Sequence, residues 1–231
     1  MELGEVMRTT PATREFAPEP LPDEVLHRIL DHARFAPSGG NRQAWTVVVV
    51  RDRATRVRLR ELYQLGWREY VAHAPLGQVP FAPQDEGRWT GPAVDLELAR
   101  RTPHAPHPFA DHLEDVPALL VVCARLDLVA SVDNGLDRQP FMGGASVYPF
   151  THNILLKARD EGYGGVITTV VARQEPAVRA LLGIPPGVAV AALVALGRPA
   201  RSVTRLRRRP VEEFTVVDRF DGRPFLVPDH R

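Results

Sequence analysis

An α+β fold is the class that the sequence predicts, and three observations support it. Runs with the spacing of amphipathic helices alternate with short apolar runs rich in β-branched residues, as in one layered core. The 231 residues suffice for a large core, and no repeat or clean linker divides them. The end of the chain is extended in character and cannot form a core of its own. We therefore expect a single domain over residues 1–231 with a trailing arm.

The first helix with a clear apolar face is predicted over residues 22–35. Its apolar residues recur with helical spacing at Val25, Leu26, Ile29, Leu30 and Ala33. Pro22 and the two acidic residues after it suit the first turn of a helix, while Pro37 and Gly39 end it. The run TVVVV at 46–50 is β-branched and apolar on both faces, so it predicts a central strand.

The remaining elements follow in order, separated by glycine- and proline-rich breaks. They are a helix within 52–71, a strand over 118–124, a helix over about 145–161, a strand over 165–171, a short helix over 174–182 and a strand over 188–196. Residues 74–116 hold many prolines and little periodicity, which predicts a lid-like excursion, since long loops in compact domains are often functional.

Composition excludes several classes of function. The net charge of +1 gives no general attraction to nucleic acid or to an anionic membrane. The basic run at 205–210 has no interleaved aromatic residues, which makes a nucleic-acid module the least favoured hypothesis. Cys123 is the one cysteine and lies in a predicted buried strand, so no intrachain disulfide forms and a catalytic thiol is disfavoured. No signal-peptide core and no membrane-length apolar run occur, so we expect a cytoplasmic protein.

Polar or glycine-rich groups collect at junctions of the predicted elements. In MRTTPATREF, at 7–16, arginines and hydroxyls precede a helix, a pattern typical of a phosphate site. In PSGGNRQ, at 37–43, two glycines allow close approach to a flat ligand, and two amides match the mixed edge of a heterocycle. A helix-capping loop is the alternative for this second stretch, although such a loop needs one glycine and no amides.

A third junction, EGYGGVITTVV at 161–171, places glycines before a strand with two threonines. These glycines are either turn residues or a place of close backbone approach, and their order is the reverse of a dinucleotide fingerprint. Three histidines at 104, 107 and 112 have acidic neighbours, but the intervening prolines fix no metal-binding spacing. No hydrolase or P-loop motif occurs.

Taken together, these stretches resemble the nitroreductase family of FMN-dependent oxidoreductases, in order and over nearly the whole chain. The segments APSGGNRQAW and LGIPPG…ALGRP are the most specific, with RRRPVEEF near the end. The resemblance implies a nitroreductase-like fold with a central mixed β-sheet flanked by helices. It also implies an intertwined homodimer, in which the C-terminal arm at 205–231 wraps around the partner.

The resemblance further implies an FMN site shared between two subunits. A cation at Arg14 would lie near N1 and C2=O of the flavin ring and stabilise its reduced form. The loop at 37–43 would reach the ring and ribityl chain from the partner, and the threonine strand would line N5. The implied FMN-binding residues are Arg8, Thr10, Arg14, Pro37, Ser38, Gly39, Asn41, Gln43, Gly164, Gly165, Thr168, Thr169 and Arg208. No metal and no catalytic side chain is implied, because the cofactor carries the chemistry.

One departure from the family pattern affects the phosphate end of that site. The usual Arg-Arg-Ser-x-Arg before a phenylalanine is replaced here, without gaps, by Thr10, Pro11 and Ala12 ahead of Arg14. Arg8 and Thr10 are therefore candidates to replace the missing phosphate contacts, together with Arg208.

The activity implied is ping-pong oxidoreduction, with NADH or NADPH as reductant and a nitroaromatic or quinone as acceptor. The excursion at 74–116 would roof the pocket, and Trp67, Trp89 and Phe109 are candidates either to stack on a ligand or to pack in the core. Two alternatives stay open. One is a reductive dehalogenase or dehydrogenase, because the threonine strand also resembles iodotyrosine deiodinases. The other is a flavin-sequestering protein with little turnover.

Overall fold

The computed structural model describes residues 1–201 and 205–226, in which one sheet lies between two layers of helices. Its strands are β1 (Trp45–Val50), β2 (Ala118–Arg125), β3 (Gly164–Thr168) and β4 (Val188–Gly197). Its α-helices are α1 (Leu3–Arg8), α2 (Asp23–Ala33), α3 (Arg53–Val71), α4 (Leu96–Arg101), α5 (Pro108–Asp111), α6 (Tyr148–Asp160) and α7 (Glu175–Leu182). The α+β class and the order of the main elements are confirmed.

The four strands run in the order β1-β2-β4-β3, and every neighbouring pair is antiparallel. The sheet is therefore less mixed than expected: among the described residues, its one parallel pairing is the isolated bridge between Ala12 and Gly165. Apolar runs on both faces of a strand indicate burial but not strand direction. Helices cover both faces of this antiparallel sheet, an arrangement more usual for parallel ones.

The core is divided by the sheet, and β2 faces both halves. Leu120 and Val122 pack with α2 and α6, whereas Leu119 and Val121 pack with α3 and α7. All four side chains are fully buried, which explains the continuous apolar run of this strand. The alternation also fixes the register, because a slip by one residue would exchange the two faces.

One expectation about the chain is wrong in detail. The run at 46–50 lies in β1, which is an edge strand of this sheet rather than a central one. Its residues from 47 to 49 are only half-buried, because the described chain supplies no further strand beside them. Residues 74–116, which are predicted to be a lid-like excursion, contain the short helices α4 and α5. Phe109, Ala110 and Leu113 from this segment belong to the core beside α3.

The described part of the arm lies away from the core. At 205–226, every hydrogen bond that the described residues make stays within the arm, including Phe225 N–H to the Thr215 carbonyl at 2.9 Å. Phe214, Phe220 and Phe225 are all exposed. The positions 202–204 and 227–231, part of which belong to the predicted arm, lie outside the described residues.

Helix α3 packs unusually close to the turn that follows β3. A Cβ added at Gly66 would lie 2.5 Å from the carbonyl oxygen of Val170 and 3.1 Å from that residue's Cγ1. Backbone atoms cannot give way as a flexible side chain can, so only glycine permits this approach.

We expect Gly66→Ala to destabilise the fold by about 1–3 kcal/mol, the usual range for overpacking. A loss of stability would be informative, because replacing glycine by alanine inside a helix otherwise stabilises the helix. Urea unfolding followed by circular dichroism measures the effect. Gly4→Ala in α1 is the matched control, since only the flexible end of Arg8 lies within 3.1 Å of the added carbon. Equal effects of the two substitutions would contradict the close-contact explanation.

Candidate functional site

The N-terminal segment crosses the start of β3 in direct backbone contact. Thr13 N–H donates to the Gly165 carbonyl at 2.8 Å, and Ala12 pairs with the same residue. A Cβ at Gly164 would lie 2.6 Å from Thr13 Oγ1, and one at Gly165 would lie 2.5 Å from Leu196. Both glycines are buried, so the structure gives them a packing role that holds the N-terminal segment in place.

That contact places Arg14 in an open cleft of about 330 Å³ beside α5, here called the Arg14 cleft. His107, Pro108 and Phe109 also line it, together with Glu15 and a second arginine, Arg201. The Arg14 side chain is exposed and has no acceptor or carboxylate partner among residues 1–201 and 205–226. It is therefore a cation available to a ligand.

Two hydroxyl groups lie close together at the end of β3, and the charge of Arg14 acts on one of them. The hydroxyls of Tyr63 and Thr168 are 3.4 Å apart, and Thr168 Oγ1 also accepts from Val170 N–H at 3.4 Å. Burial raises the pKa of Tyr63, while the hydrogen bond to Thr168 and the charge of Arg14 partly offset that effect. The tyrosine is thus a neutral hydrogen-bonding group at the end of β3. Sequence analysis missed it, because its spacing in α3 indicates only a core position.

The loop at 37–43 has an unusual backbone and exposed amides. Gly40, Asn41 and Gln43 have φ angles of 61°, 52° and 49°, in the left-handed region that non-glycine residues seldom adopt. The loop is supported by Ser38 Oγ, which accepts from Gln43 N–H at 3.0 Å, and by Ser146 Oγ, which accepts from a backbone N–H at 3.1 Å. Strain of this kind collects at ligand sites when the surrounding structure maintains it.

Within one chain, this loop and the Arg14 cleft lie at opposite edges of the sheet. The loop leads into β1, whereas Gly165 and Thr168 belong to β3, and these strands are the two edges. Three spacings of about 4.8 Å put the edges roughly 14 Å apart. The structure therefore brings together Arg14, Thr168 and the two glycines, but not the loop.

The predicted phosphate contacts are dispersed. Thr10 Oγ1 donates to the Val6 carbonyl at 2.6 Å and extends α1, in which Arg8 is an exposed residue. Arg208 lies in the arm and donates only to the carbonyl of its own neighbour, among the described contacts. Thr10 also borders a second groove of about 210 Å³, which sequence analysis did not foresee. That groove is basic, being lined by Arg159, Arg198 and Arg201.

The histidines considered for metal binding have structural partners instead. His104 Nε2 lies 3.0 Å from an Asp111 carboxylate oxygen, and the other oxygen accepts from His107 N–H at 2.8 Å. His107 Nδ1 accepts from Ala110 N–H and caps α5. Among the residues that the structure describes, no group of three metal-ligating side chains is found.

A larger cleft of about 500 Å³ opens between α3 and the turn after β3. Its walls include Tyr70, Phe81, Trp89, Thr169 and Arg173, and it is called the aromatic cleft below. Of the three predicted stacking residues, Trp89 alone lines it. Trp67 stacks on Tyr70 at a centroid distance of 5.6 Å and contacts His107 in a tilted arrangement at 4.6 Å. Phe109 is a core residue that borders the Arg14 cleft.

Comparison with known proteins identifies the family of this chain. A model of the nitroreductase family matches residues 7–198, from the N-terminal segment to the residue after β4. The chain belongs to the nitroreductase family.

Relatives of this nitroreductase-family chain agree with that assignment. A protein named NADH dehydrogenase from Thermus thermophilus is 31% identical over 205 residues, which cover 86% of this chain and 87% of that protein. Iodotyrosine deiodinase 1 of Rattus norvegicus is 25% identical over 218 residues, which cover 94% of this chain and 69% of that protein. As a member of the family, this chain is an oxidoreductase.

Solved structures share the fold. The NADPH:FMN oxidoreductase of Vibrio harveyi, complexed with NAD+, aligns over 95% of this chain and 78% of that chain. The TM-score is 0.65 at 19% sequence identity, so the likeness establishes the nitroreductase-like fold. None of the described helices has the length and apolar character needed to span a membrane.

The buried thiol of this nitroreductase-family chain lies apart from both clefts. Cys123 is in β2, between residues of the α3 layer, and burial raises its pKa to about 11. The deprotonated form, which is the nucleophile, is correspondingly rare at neutral pH.

We expect the Cys123 thiol of the folded protein to resist thiol reagents at pH 8. About one thiol in a thousand would be ionised at a pKa near 11, and burial also blocks access. Titration with an aromatic disulfide reagent before and after unfolding in guanidinium chloride measures this. Full labelling of the folded protein within the mixing time would contradict the buried placement.

Proposed function

We propose that this chain is an FMN-dependent NAD(P)H oxidoreductase acting on electron-poor acceptors such as quinones or nitroaromatics. The FMN site would be formed by two copies of the chain, each supplying half. The observation that carries the proposal is Arg14, a guanidinium free of described partners, whose charge acts on Tyr63, the residue that contacts Thr168 at the end of β3. The whole chain would act as one domain, to which the arm belongs.

The groups at this site fit a flavin. Reduction of FMN places negative charge on the N1 and C2=O side of the ring, and a fixed cation stabilises that charge. Arg14 is suited to this role because its backbone is fixed by the contact of Thr13 with Gly165 while its side chain stays open. Thr168 and the exposed Thr169 offer hydroxyls that would line the N5 edge of the flavin ring.

When bound, FMN supplies two-electron chemistry, so that NADH, a proton and a quinone yield NAD+ and a hydroquinone. The residues of the chain orient the reactants and stabilise charge, and no side chain is required to be a general acid or base. The family membership supports this role, as does the 31% identity to a protein named NADH dehydrogenase. Either NADH or NADPH is a candidate reductant.

The geometry favours a site completed by a second copy. The amides of Asn41 and Gln43 are exposed, and their loop leads into β1, the sheet edge opposite β3, so these amides do not line the Arg14 cleft of their own chain. The exposed phenylalanines of the arm and the open edge of β1 are apolar surfaces that association would cover. We therefore propose a homodimer with two equivalent sites.

At the phosphate end, Arg8, Thr10 and Arg208 remain candidates, and neither Pro11 nor Ala12 can bind an anion through a side chain. In a dimer, the arm could supply the cations that bind the phosphate, because it carries Arg208 and several further arginines. An Arg cluster offers bidentate hydrogen bonds to a phosphate.

We expect the purified protein to be yellow, or to become so with FMN, and to lose that colour with NADH or NADPH. Arg14→Gln should lower kcat/KM for a quinone about 10- to 100-fold through the lost charge, and Arg14→Lys should lower it less. Stopped-flow absorbance of flavin reduction, together with FMN titration, makes the measurement.

Arg58→Gln is the matched control, because Arg58 is an exposed α3 arginine paired with Glu61. Its rate should equal that of the unaltered protein. A colourless protein that stays colourless with FMN would refute the proposed function.

Complementation between two impaired variants would test the shared site. One variant carries Arg14→Gln, and the other carries Asn41→Gly with Gln43→Gly, which removes the amides but permits the positive φ angles. Co-expression should restore about a quarter of the unaltered rate, since half of the random dimers would hold one intact site of two. No recovery above the separate variants would place both elements in one subunit's site.

Reductive dehalogenation is the second candidate, supported by the 25% identity to iodotyrosine deiodinase 1 over 94% of this chain. In that reaction two electrons and a proton convert an aryl halide into the arene and a halide ion. Single-turnover oxidation of the reduced protein by a halophenol, compared with a nitroaromatic, distinguishes the candidates.

A further inference from the structure

The aromatic cleft has one charged group in an otherwise neutral wall. Among the described lining residues, Arg173 alone carries a charge, and no carboxylate lines the cleft. Tyr70, Phe81 and Trp89 supply flat apolar surface, and Gln139 supplies an amide. An aromatic surface with a single cation favours a planar ring that carries one negative charge.

Arg173 is held so that one edge of its guanidinium stays available. Its Nε donates to Glu69 at 2.7 Å, and Phe81 covers one face of the group at 4.3 Å. No other hydrogen bond from this side chain occurs among residues 1–201 and 205–226. The side chain is 35% exposed. The two terminal nitrogens are therefore free to bind a carboxylate in the bidentate manner typical of arginine.

Glu69 fixes that arginine from inside the protein. It is fully buried and also accepts from Arg100 at 2.5 Å and from Gln174 at 3.2 Å. One carboxylate thus pairs with two guanidiniums, so it does not fully neutralise the positive charge of Arg173. Because its position depends on buried partners, Arg173 is already ordered before a ligand arrives.

The aromatic cleft adjoins the proposed flavin site along α3. Tyr63, Gly66 and Tyr70 lie on one stripe of the helix, separated by three and four residues. Tyr63 contacts Thr168, and Gly66 and Tyr70 line the cleft, to which Thr169 also belongs. The rise of 1.5 Å per residue puts Tyr70 about 10 Å from Tyr63 along the axis, within the length of a small aromatic molecule.

We infer that the aromatic cleft binds the electron acceptor as an aromatic carboxylate, with its ring against Trp89 and its carboxylate on Arg173. The inference rests on the proposed function, because it assigns the substrate class of that reaction. Arg173 is a specificity-determining residue here: it selects anionic over neutral rings. A reducible group on the far side of the ring from the carboxylate would point towards Thr169.

A matched pair of acceptors tests the inference. 4-Nitrobenzoate and 4-nitrobenzamide are close in shape and differ in charge. For the unaltered protein, we expect kcat/KM for the benzoate to exceed that for the benzamide at least about 10-fold, as a charged hydrogen bond implies. Arg173→Gln should remove that preference by lowering the benzoate value, with a change below about threefold for the benzamide. Arg173→Lys should retain part of it.

Arg100→Gln is the matched structural control. It removes the other guanidinium from Glu69, but Arg100 does not line the cleft. This variant should keep the preference for the benzoate. If both glutamine variants lose the preference equally, the effect comes from the Glu69 cluster and the inference fails. Thermal unfolding of each variant shows whether it is folded.

A binding readout separates this inference from the proposed function. Quenching of tryptophan fluorescence by 4-nitrobenzoate should be saturable, weaker in Arg173→Gln, and reduced in amplitude in Trp89→Phe. If the protein holds flavin and reduces both acceptors equally well, the inference fails while the proposed function stands. If it holds no flavin but binds the benzoate through Arg173, the proposed function fails while the binding site stands.

Discussion

The hydrogen bond from Thr13 N–H to the Gly165 carbonyl is the contact on which the site depends. It fixes the N-terminal segment on β3 only because two successive glycines leave room for it, and so it sets where Arg14 emerges. Any side chain at Gly164 would meet Thr13, and the cation would move with the segment. A packing constraint between two backbones thus determines an electrostatic feature of the surface. The same glycines are needed whether or not a ligand approaches them.

The width of the sheet imposes the second constraint. β1 and β3 of one chain are separated by two strands, and helices of both layers cover the faces between them. The strained loop before β1 therefore does not line the Arg14 cleft of its own chain. In a homodimer, a two-fold axis can place the loop of one chain at the Arg14 cleft of the other. The exposed apolar arm is consistent with such an arrangement.

Much of the fold was predictable from local patterns, whereas strand position was not. The apolar face of α2, the buried run of β2 and the breaks at glycine and proline are local signals, and they gave the elements within a few residues. The run at 46–50 predicts a central strand, because an apolar sequence indicates burial but does not distinguish a central strand from a covered edge strand. Arg14 and Thr168 were found through a family pattern. Arg173, Glu69 and Tyr63 carried no such signal, because their importance comes from contacts between distant segments.

The buried Glu69 cluster shows why the excursion between α3 and β2 can be both long and ordered. A buried carboxylate with two arginines gains little stability over an apolar substitute, since desolvation offsets most of the attraction. Its effect is geometric, because each partner comes from a different segment: Arg100 from α4 and Arg173 from the turn after β3. Misplacing either segment would remove one of the two guanidiniums that compensate the buried carboxylate, which costs stability because the charge cannot regain its hydration there. The cluster therefore selects one arrangement of the walls around the aromatic cleft.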